Sequence, residues 1–408
     1  VKSNDALVSL LVFAAGAFAQ QPEKLEYAVV VTRHGVRSPT WTAERLNGYS
    51  TAPWPDFGVA PGELTPHGRE LMKLMGAYYR SYFAQQGLSG FSGPVDCAAA
   101  WFHADVAQRT MVTAQALAET LLPGCSTEIH SAGKDATSDP LFEGFGTPDA
   151  ALSTAVVAAR LGSKPQAIAD AHRQALDLLA GILNGSGKAQ HSIFEDPVSL
   201  SGGKSGVSMS GPLSLSSTFT ENFFLEYAEG MTGEHLGWGR VNPSNLLELM
   251  SLHTSYAELM RRTPYLARTR GSNLLSYVVQ LLEKATAGES KNPLAVISGH
   301  DTNISNLSGM LGLSWLLPGY QPDDVPPGGA LIFSLWKSAD GKRFLRLRFI
   351  GQTPEQMHNA TPLTTANPPA SSDVFIPGCS AAAKGYPCEW KAFSALARTV
   401  ILPEFTPK

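Results

Sequence analysis

The sequence predicts an α/β fold: a mostly parallel central sheet flanked by helices and interrupted by an inserted, mainly α-helical domain. Three observations predict it. Residues 27–32 (YAVVVT) and 294–298 (LAVIS) are continuous apolar, β-branched runs, which suit strands buried on both faces. Between them, residues 98–131 alternate apolar run, helical segment and apolar run in a βαβ rhythm. From about residue 145 to 249 the pattern becomes Ala- and Leu-rich and helical, broken by Gly/Ser stretches. The expected division is residues 24–144 with 250–408 as the α/β domain that carries the chemistry, and 145–249 as a helical cap.

Taken in order, residues 1–19 read as a signal peptide: Lys2, an apolar run over 6–17, and Ala17-Phe18-Ala19 as an A-x-A cleavage site. The first strand ends at Arg33 and leads into a polar loop over 40–63. Thr65-Pro66 then opens a helix with Thr65 as N-cap, and Leu71, Leu74, Met75, Tyr78 and Tyr82 recur at helical spacing as core residues. A strand at 98–103, a helix near 106–121 and a strand at 126–131 follow. Helices are expected over 150–161 and 165–183. The βα pattern resumes with a helix at 271–287, the strand to Ser298, strands at 330–336 and 344–350, and a last helix at 389–401.

Both buried runs end in chemistry. The first leads into Arg33-His34-Gly35-Val36-Arg37-Ser38-Pro39, which puts a histidine between two arginines at a strand's carboxyl end, where ligands bind in open α/β sheets. Guanidiniums match phosphate or carboxylate, and a neutral imidazole between them can attack an electrophile they hold. The second leads into Gly299-His300-Asp301-Thr302-Asn303, which adds a donor for phosphoryl oxygens and an acid for a leaving alcohol.

With these two motifs the chain resembles the histidine acid phosphatases, and within them the bacterial periplasmic phytase and glucose-1-phosphatase group. LTPHGRELM (64–72), SDPLF (138–142), GWGR (237–240), RRTPYLARTR (261–270), SGHDTNISNL (298–307) and LPGYQPDDVPPGG (317–329) carry the resemblance further. It implies a phosphoglycerate-mutase-like sheet and an exported phosphate monoester hydrolase without a cofactor or metal. His34 would be the nucleophile, Asp301 the proton donor, and Arg33, Arg37, Arg109 and His300 the phosphate cradle. Three preplaced arginines and a histidine can stabilise the charge spread over the equatorial oxygens of a loose phosphoryl-transfer transition state. Matching positions in the family are bridged, and near pairs close local loops, so of three possible connectivities Cys97 with Cys125 and Cys379 with Cys388 is expected.

The substrate is less sharply specified. The family's phytases often carry a lysine just after RHGxRxPT, where this chain has Trp41 beside Thr40. An aromatic wall there favours sugar or aryl phosphates, while RHGVR and the breadth of the match favour phytate (inositol hexakisphosphate). Glu221 reads either as a pocket carboxylate or as a solvated helix residue. Thr302 and Arg268 (or Arg270) are further pocket candidates, the arginines for an outer phosphate. A sugar-phosphate phosphatase and a noncatalytic phosphate-binding protein are the alternatives.

Composition agrees with a globular enzyme. The 408 residues, 43% hydrophobic and 16% charged with net charge -4, give no support to nucleic-acid binding, and no segment after the signal is long enough for a membrane span. A monomer acting on a small phosphate ester in the periplasm, or secreted, is expected. Gly202-Gly203-Lys204-Ser205 has Val198 where a phosphate loop needs its opening glycine, and reads as a linker. His67, His103, His235 and His253 read as surface or satisfied core histidines.

Overall fold

The computed structural model describes residues 23–133, 135–162 and 164–407. The signal peptide expected over residues 1–19 lies outside the described residues. The strands are β1 Lys24–Arg33, β2 Ala100–Ala104, β3 Ile129–His130, β4 Ser199–Gly203, β5 Gly206–Ser210, β6 Leu294–Gly299, β7 Ala330–Lys337, β8 Arg343–Gly351, β9 Ala370–Val374 and β10 Cys388–Glu389. The main sheet has the order β10-β8-β7-β1-β6-β2-β3, with β9 also on β8. β1, β6, β2 and β3 pair in parallel. β7 is antiparallel to β1, and β8 to β7, so β8 runs with those four, opposite to β7, β9 and β10.

Both faces of the sheet are covered, which is why β1 is apolar over Tyr27 to Val31 and β6 over Leu294 to Ile297. Ala28 and Val30 face the helices Pro66–Gln85 and Gln108–Leu121 and pack with Met75, Tyr79, Phe83 and Leu117. Val29 and Val31 face the other way, into a core shared with Leu275, Ile304 and Phe393 of the helices Pro264–Ala287, Asp301–Leu311 and Trp390–Val400. Each fully buried valine, leucine, isoleucine, phenylalanine or methionine among them contributes about 1.5–3 kcal/mol. This second core continues through Leu176, Phe219, Phe223 and Leu249 into the helices Arg173–Asn184, Pro212–Ala228 and Pro243–Met260.

Several elements differ from expectation. The helix expected over 165–183 is two, Ala167–Ala171 and Arg173–Asn184, broken at His172, where φ -104 and ψ 18 leave the helical region. The helix expected from 271 begins at Pro264, because proline is well placed in a first turn. The boundary expected at 249 falls inside the helix Pro243–Met260, whose capping box at Asn242 and Asn245 sets the start instead. The stretch read as a linker is a hairpin, β4 and β5.

Both expected disulfides form, with Cα separations of 5.6 Å for Cys97–Cys125 and 5.2 Å for Cys379–Cys388. Among the described residues no helix is long and apolar enough to cross a membrane.

Candidate active site

Three adjacent parallel strands deliver the site. β6 lies between β1 and β2, and the registers Arg33 with Gly299 and Ala104 with Ser298 place His34, His300 and Asp105 just past neighbouring carboxyl ends. The His34 amide donates to the Gly299 carbonyl at 2.9 Å and the Asp105 amide to Ser298 at 3.0 Å, so the turns are fixed by the sheet itself. The two imidazole centroids are 5.5 Å apart, edge to face. The loop carrying His34 is pressed by the helix Pro66–Gln85: a Cβ on Gly35 would lie 2.8 Å from Met72 Cγ, and one on Gly68 2.1 Å from the Val36 carbonyl oxygen.

His34 is only 2% exposed. Its Nδ1 is 2.8 Å from the Gly35 carbonyl oxygen. A carbonyl can only accept, so Nδ1 holds the proton and Nε2 has the free lone pair. Burial, then the charges of Arg33, Arg37, His300 and Arg109, hold its pKa well below the usual imidazole value. The ring therefore favours its neutral form, with the Nε2 lone pair bare.

The guanidiniums of Arg33, Arg37 and Arg109 gather around it. Arg33 Nη1 donates to the Val325 carbonyl at 2.6 Å and Arg37 Nη1 to Ser38 at 2.9 Å, while Arg109 Nη1 reaches Gly62 at 3.3 Å. The buried Nε atoms of all three lack a hydrogen-bond partner among the described residues. Arg109 Nη2 lies 3.5 Å from His300 Nδ1, and His300 Nε2 2.6 Å from Asp105 Oδ2. Burial pushes Asp105 up, but the His300 hydrogen bond and charge outweigh it, leaving its carboxyl below the ordinary value. A lasting carboxylate there fixes the orientation of His300.

Two carboxylates complete the centre, a partly buried Glu221 and a buried Asp301. Glu221, on the helix Pro212–Ala228, accepts from Arg33 Nη2 and, at 3.1 Å, from Arg37 Nη2. Burial raises its pKa, yet Arg37 and Arg33 bring it down to about 2. Asp301 is the first residue of the helix Asp301–Leu311, with Oδ1 accepting from the Thr302 amide at 2.9 Å and Oδ2 from Arg261 Nη1. His253 Nε2 is 3.9 Å from Oδ2. Burial again acts upward, but Arg261, Arg33 and His253 hold Asp301 well below the usual carboxylate range. Glu221, His253 and Asp301 also form a group with metal-ligand spacing. Their two carboxylates are already neutralised by three arginines, a poor setting for a dication.

A cavity of about 790 Å³ opens over this centre, lined by His34, Arg37, Arg109, His300 and Asp301, with Thr40 and Thr302 beside them. Three expected pocket residues do not line this cavity, and the first, Glu221, is instead the carboxylate bonded to Arg33 and Arg37. Trp41 lines a separate pocket, packed edge-on against Phe219 at 5.8 Å with the Arg45 guanidinium 3.4 Å over its ring. Arg268 is committed to the Val400 and Thr399 carbonyls at 2.7 and 3.1 Å, on the far side of its helix, whereas Arg270 lines the cavity. Asp105 and Arg261 were given no role in the sequence, and His253, read as a surface or satisfied core histidine, is buried with Nδ1 on Ser217 and Nε2 facing Asp301. Asp105 shares the strand-end position of His34 and His300, a signal that could have found it, but the other two lie in or at the end of a long helix and carry no local mark.

The model of the histidine phosphatase superfamily, branch 2, matches residues 24–160 and 192–350. Phytase AppA of Escherichia coli is 35% identical, with 95% of each chain covered, and a glucose-1-phosphatase of Salmonella typhimurium is 27% identical, with 89% of each covered. The solved structure of Hafnia alvei phytase in complex with myo-inositol hexakis sulphate matches with TM-score 0.87 at 34% identity, covering 95% of this chain and 99% of that one.

Proposed function

Since the chain belongs to the histidine phosphatase superfamily, branch 2, and is a phosphoric monoester hydrolase, we propose that it works through a phosphohistidine on His34 with Asp301 as proton donor. The observation that carries this reading is the neutral His34, with Nε2 bare, among three arginines. Arg33, Arg37, Arg109 and His300 hold the phosphoryl oxygens. As Nε2 bonds to phosphorus, the ester P–O bond breaks and Asp301 gives its proton to the departing alkoxide. Water then attacks phosphorus, the P–N bond breaks to release inorganic phosphate, and Asp301 accepts the proton of that water.

This role requires a protonated Asp301, whereas the free site favours its carboxylate. An entering phosphate dianion supplies the remedy. It competes with Glu221 for Arg33 and Arg37, and its negative charge raises the pKa of the carboxylates it faces. Substrate binding and an acidic medium thus load the donor together.

Phytate is the proposed substrate, supported by the roomy cavity, by Arg270 on its wall and by the phytases among the relatives. Hydrolysis of a sugar 1-phosphate is the second reading, favoured by the glucose-1-phosphatase relative. Residues 145–249 would cap the cavity. Export to the periplasm or beyond is proposed on the strength of the two disulfides, which persist in oxidising compartments.

Two experiments test the core of this scheme. Brief exposure to radiolabelled phosphate ester at acidic pH is expected to label His34, and no label on His34→Asn. In Asp301→Asn, turnover of esters with poor leaving groups should fall about 100-fold or more while nitrophenyl phosphate loses far less. Equal loss on both substrates would count against the donor role. Phosphate release from phytate, glucose 1-phosphate and nitrophenyl phosphate then ranks the substrates.

A further inference from the structure

The hairpin of β4 and β5 is the one sequence feature dismissed as a linker that reaches the catalytic cavity. Its strands pair as far as Gly203 with Gly206, which leaves Lys204 and Ser205 as a two-residue turn. Cross-strand hydroxyl pairs, Ser199 with Ser210 at 2.6 Å and Ser201 with Ser208 at 2.8 Å, tie the ladder together. Glycines let it lie close to the helix Ala150–Leu161: a Cβ on Gly202 would be 3.2 Å from the Ala150 carbonyl oxygen, and one on Gly206, at φ +95, 3.0 Å from Ser153 Oγ. The tip is pinned from the α/β side, where Arg270 Nη2 donates to the Ser205 carbonyl at 2.9 Å.

The pinned turn places Lys204 and Ser205 on the wall of the cavity that also exposes His34, Arg37 and Arg109. Lys204 is exposed, and among the described residues it makes no ion pair. A lysine anchored at a cavity rim by a rigid two-residue turn has lost little freedom beyond its own side chain. Its ammonium remains free to meet an anion.

We infer that Lys204 is a specificity-determining residue, which binds a non-scissile phosphate of a polyphosphorylated substrate while another phosphate lies at His34. This rests on the phosphomonoesterase reading of the site and narrows it to polyanionic esters. A monophosphate such as nitrophenyl phosphate has no second anionic group to offer, so Lys204 acts as a discriminator between the two. Its contribution is a point-charge interaction at a wet rim, and it weakens with added salt.

The test is the ratio of kcat/KM for inositol hexakisphosphate to that for nitrophenyl phosphate, in wild type, Lys204→Ala and Lys204→Arg. Lys204→Ala is expected to lower the ratio about 5- to 10-fold, chiefly through KM for the hexakisphosphate, with the deficit shrinking at high salt. Lys204→Arg should stay within about 2-fold of wild type. An unchanged ratio in Lys204→Ala, with wild type turning over both esters, overturns the role of Lys204 alone. Failure of the wild type to release phosphate from either ester overturns the underlying reading as well.

Discussion

Asp301 is held ionised by Arg261, Arg33 and His253 against the upward push of burial, so the acidity of this one carboxyl governs when the proposed donor is loaded. Arg261 contacts Asp301 and does not line the main cavity, which makes it a positioning residue whose effect is electrostatic. Replacing it with methionine removes the largest influence lowering the Asp301 pKa. The donor then keeps its proton to higher pH, and the alkaline limb of kcat on a poor-leaving-group ester is expected to move up by about one unit or more. Arg261→Lys, which keeps the charge, should leave the limb near its wild-type position. Removing one partner of a buried pair costs about 3–5 kcal/mol while the other stays charged, so the methionine variant should also be most stable in acid. A limb that does not move in Arg261→Met would sever Asp301 from the pH dependence.

At the scale of elements, the contact between the helix Pro66–Gln85 and the loop after β1 sets the position of the nucleophile. Gly68 is in an ordinary helix, and what it needs is the missing side chain, since a Cβ there would meet the Val36 carbonyl at 2.1 Å. Gly68→Ala must therefore push helix and loop apart, although alanine has the better helix propensity by about 1 kcal/mol. A net destabilisation of about 1–3 kcal/mol is expected, with kcat reduced about 10- to 100-fold because Arg33, His34 and Arg37 move together. Greater stability in denaturant melts would show that the contact is soft. Such contacts also explain what was legible in the sequence. β1 and β6 announced themselves because both faces are buried, and Thr65-Pro66 announced the helix through its cap. The hairpin of β4 and β5 did not, since β4 is largely exposed and both strands are rich in serine and glycine, with only Val207 and Met209 of β5 reaching the core, and neither did the short polar β9. Trp41 and Arg268 were misplaced for a related reason: proximity in sequence to a motif does not say which way a long side chain turns.

Across the whole molecule, buried and partly buried carboxylates divide into two groups that make stability depend on pH in opposite directions. Glu221 and Asp301 are depressed by arginines, so their contribution is present above the unfolded values of about 4.3 and 3.9 and is lost as pH falls, for Glu221 through about 2. Glu226 is the reverse case. It is fully buried on the helix Pro212–Ala228, with Oε2 accepting from the Gly237 amide at 2.8 Å and Oε1 unpartnered, and burial pushes its pKa up to about 8. A raised folded pKa means that the folded chain holds the proton more tightly than the unfolded one. Its contribution is therefore complete below about 4.3 and disappears progressively as pH rises to 8. The two groups together place the stability maximum in mild acid, near pH ~4–5. Between pH ~5 and ~8 Glu226 alone should remove on the order of a few kcal/mol, a fall of about 5 °C in Tm for a chain of this size. Glu226→Gln cannot ionise, so its Tm should decline much less over that interval and exceed the wild-type value at the alkaline end. If wild type and Glu226→Gln instead lose Tm in parallel from mild acid to pH ~8, the titration responsible lies elsewhere in the fold.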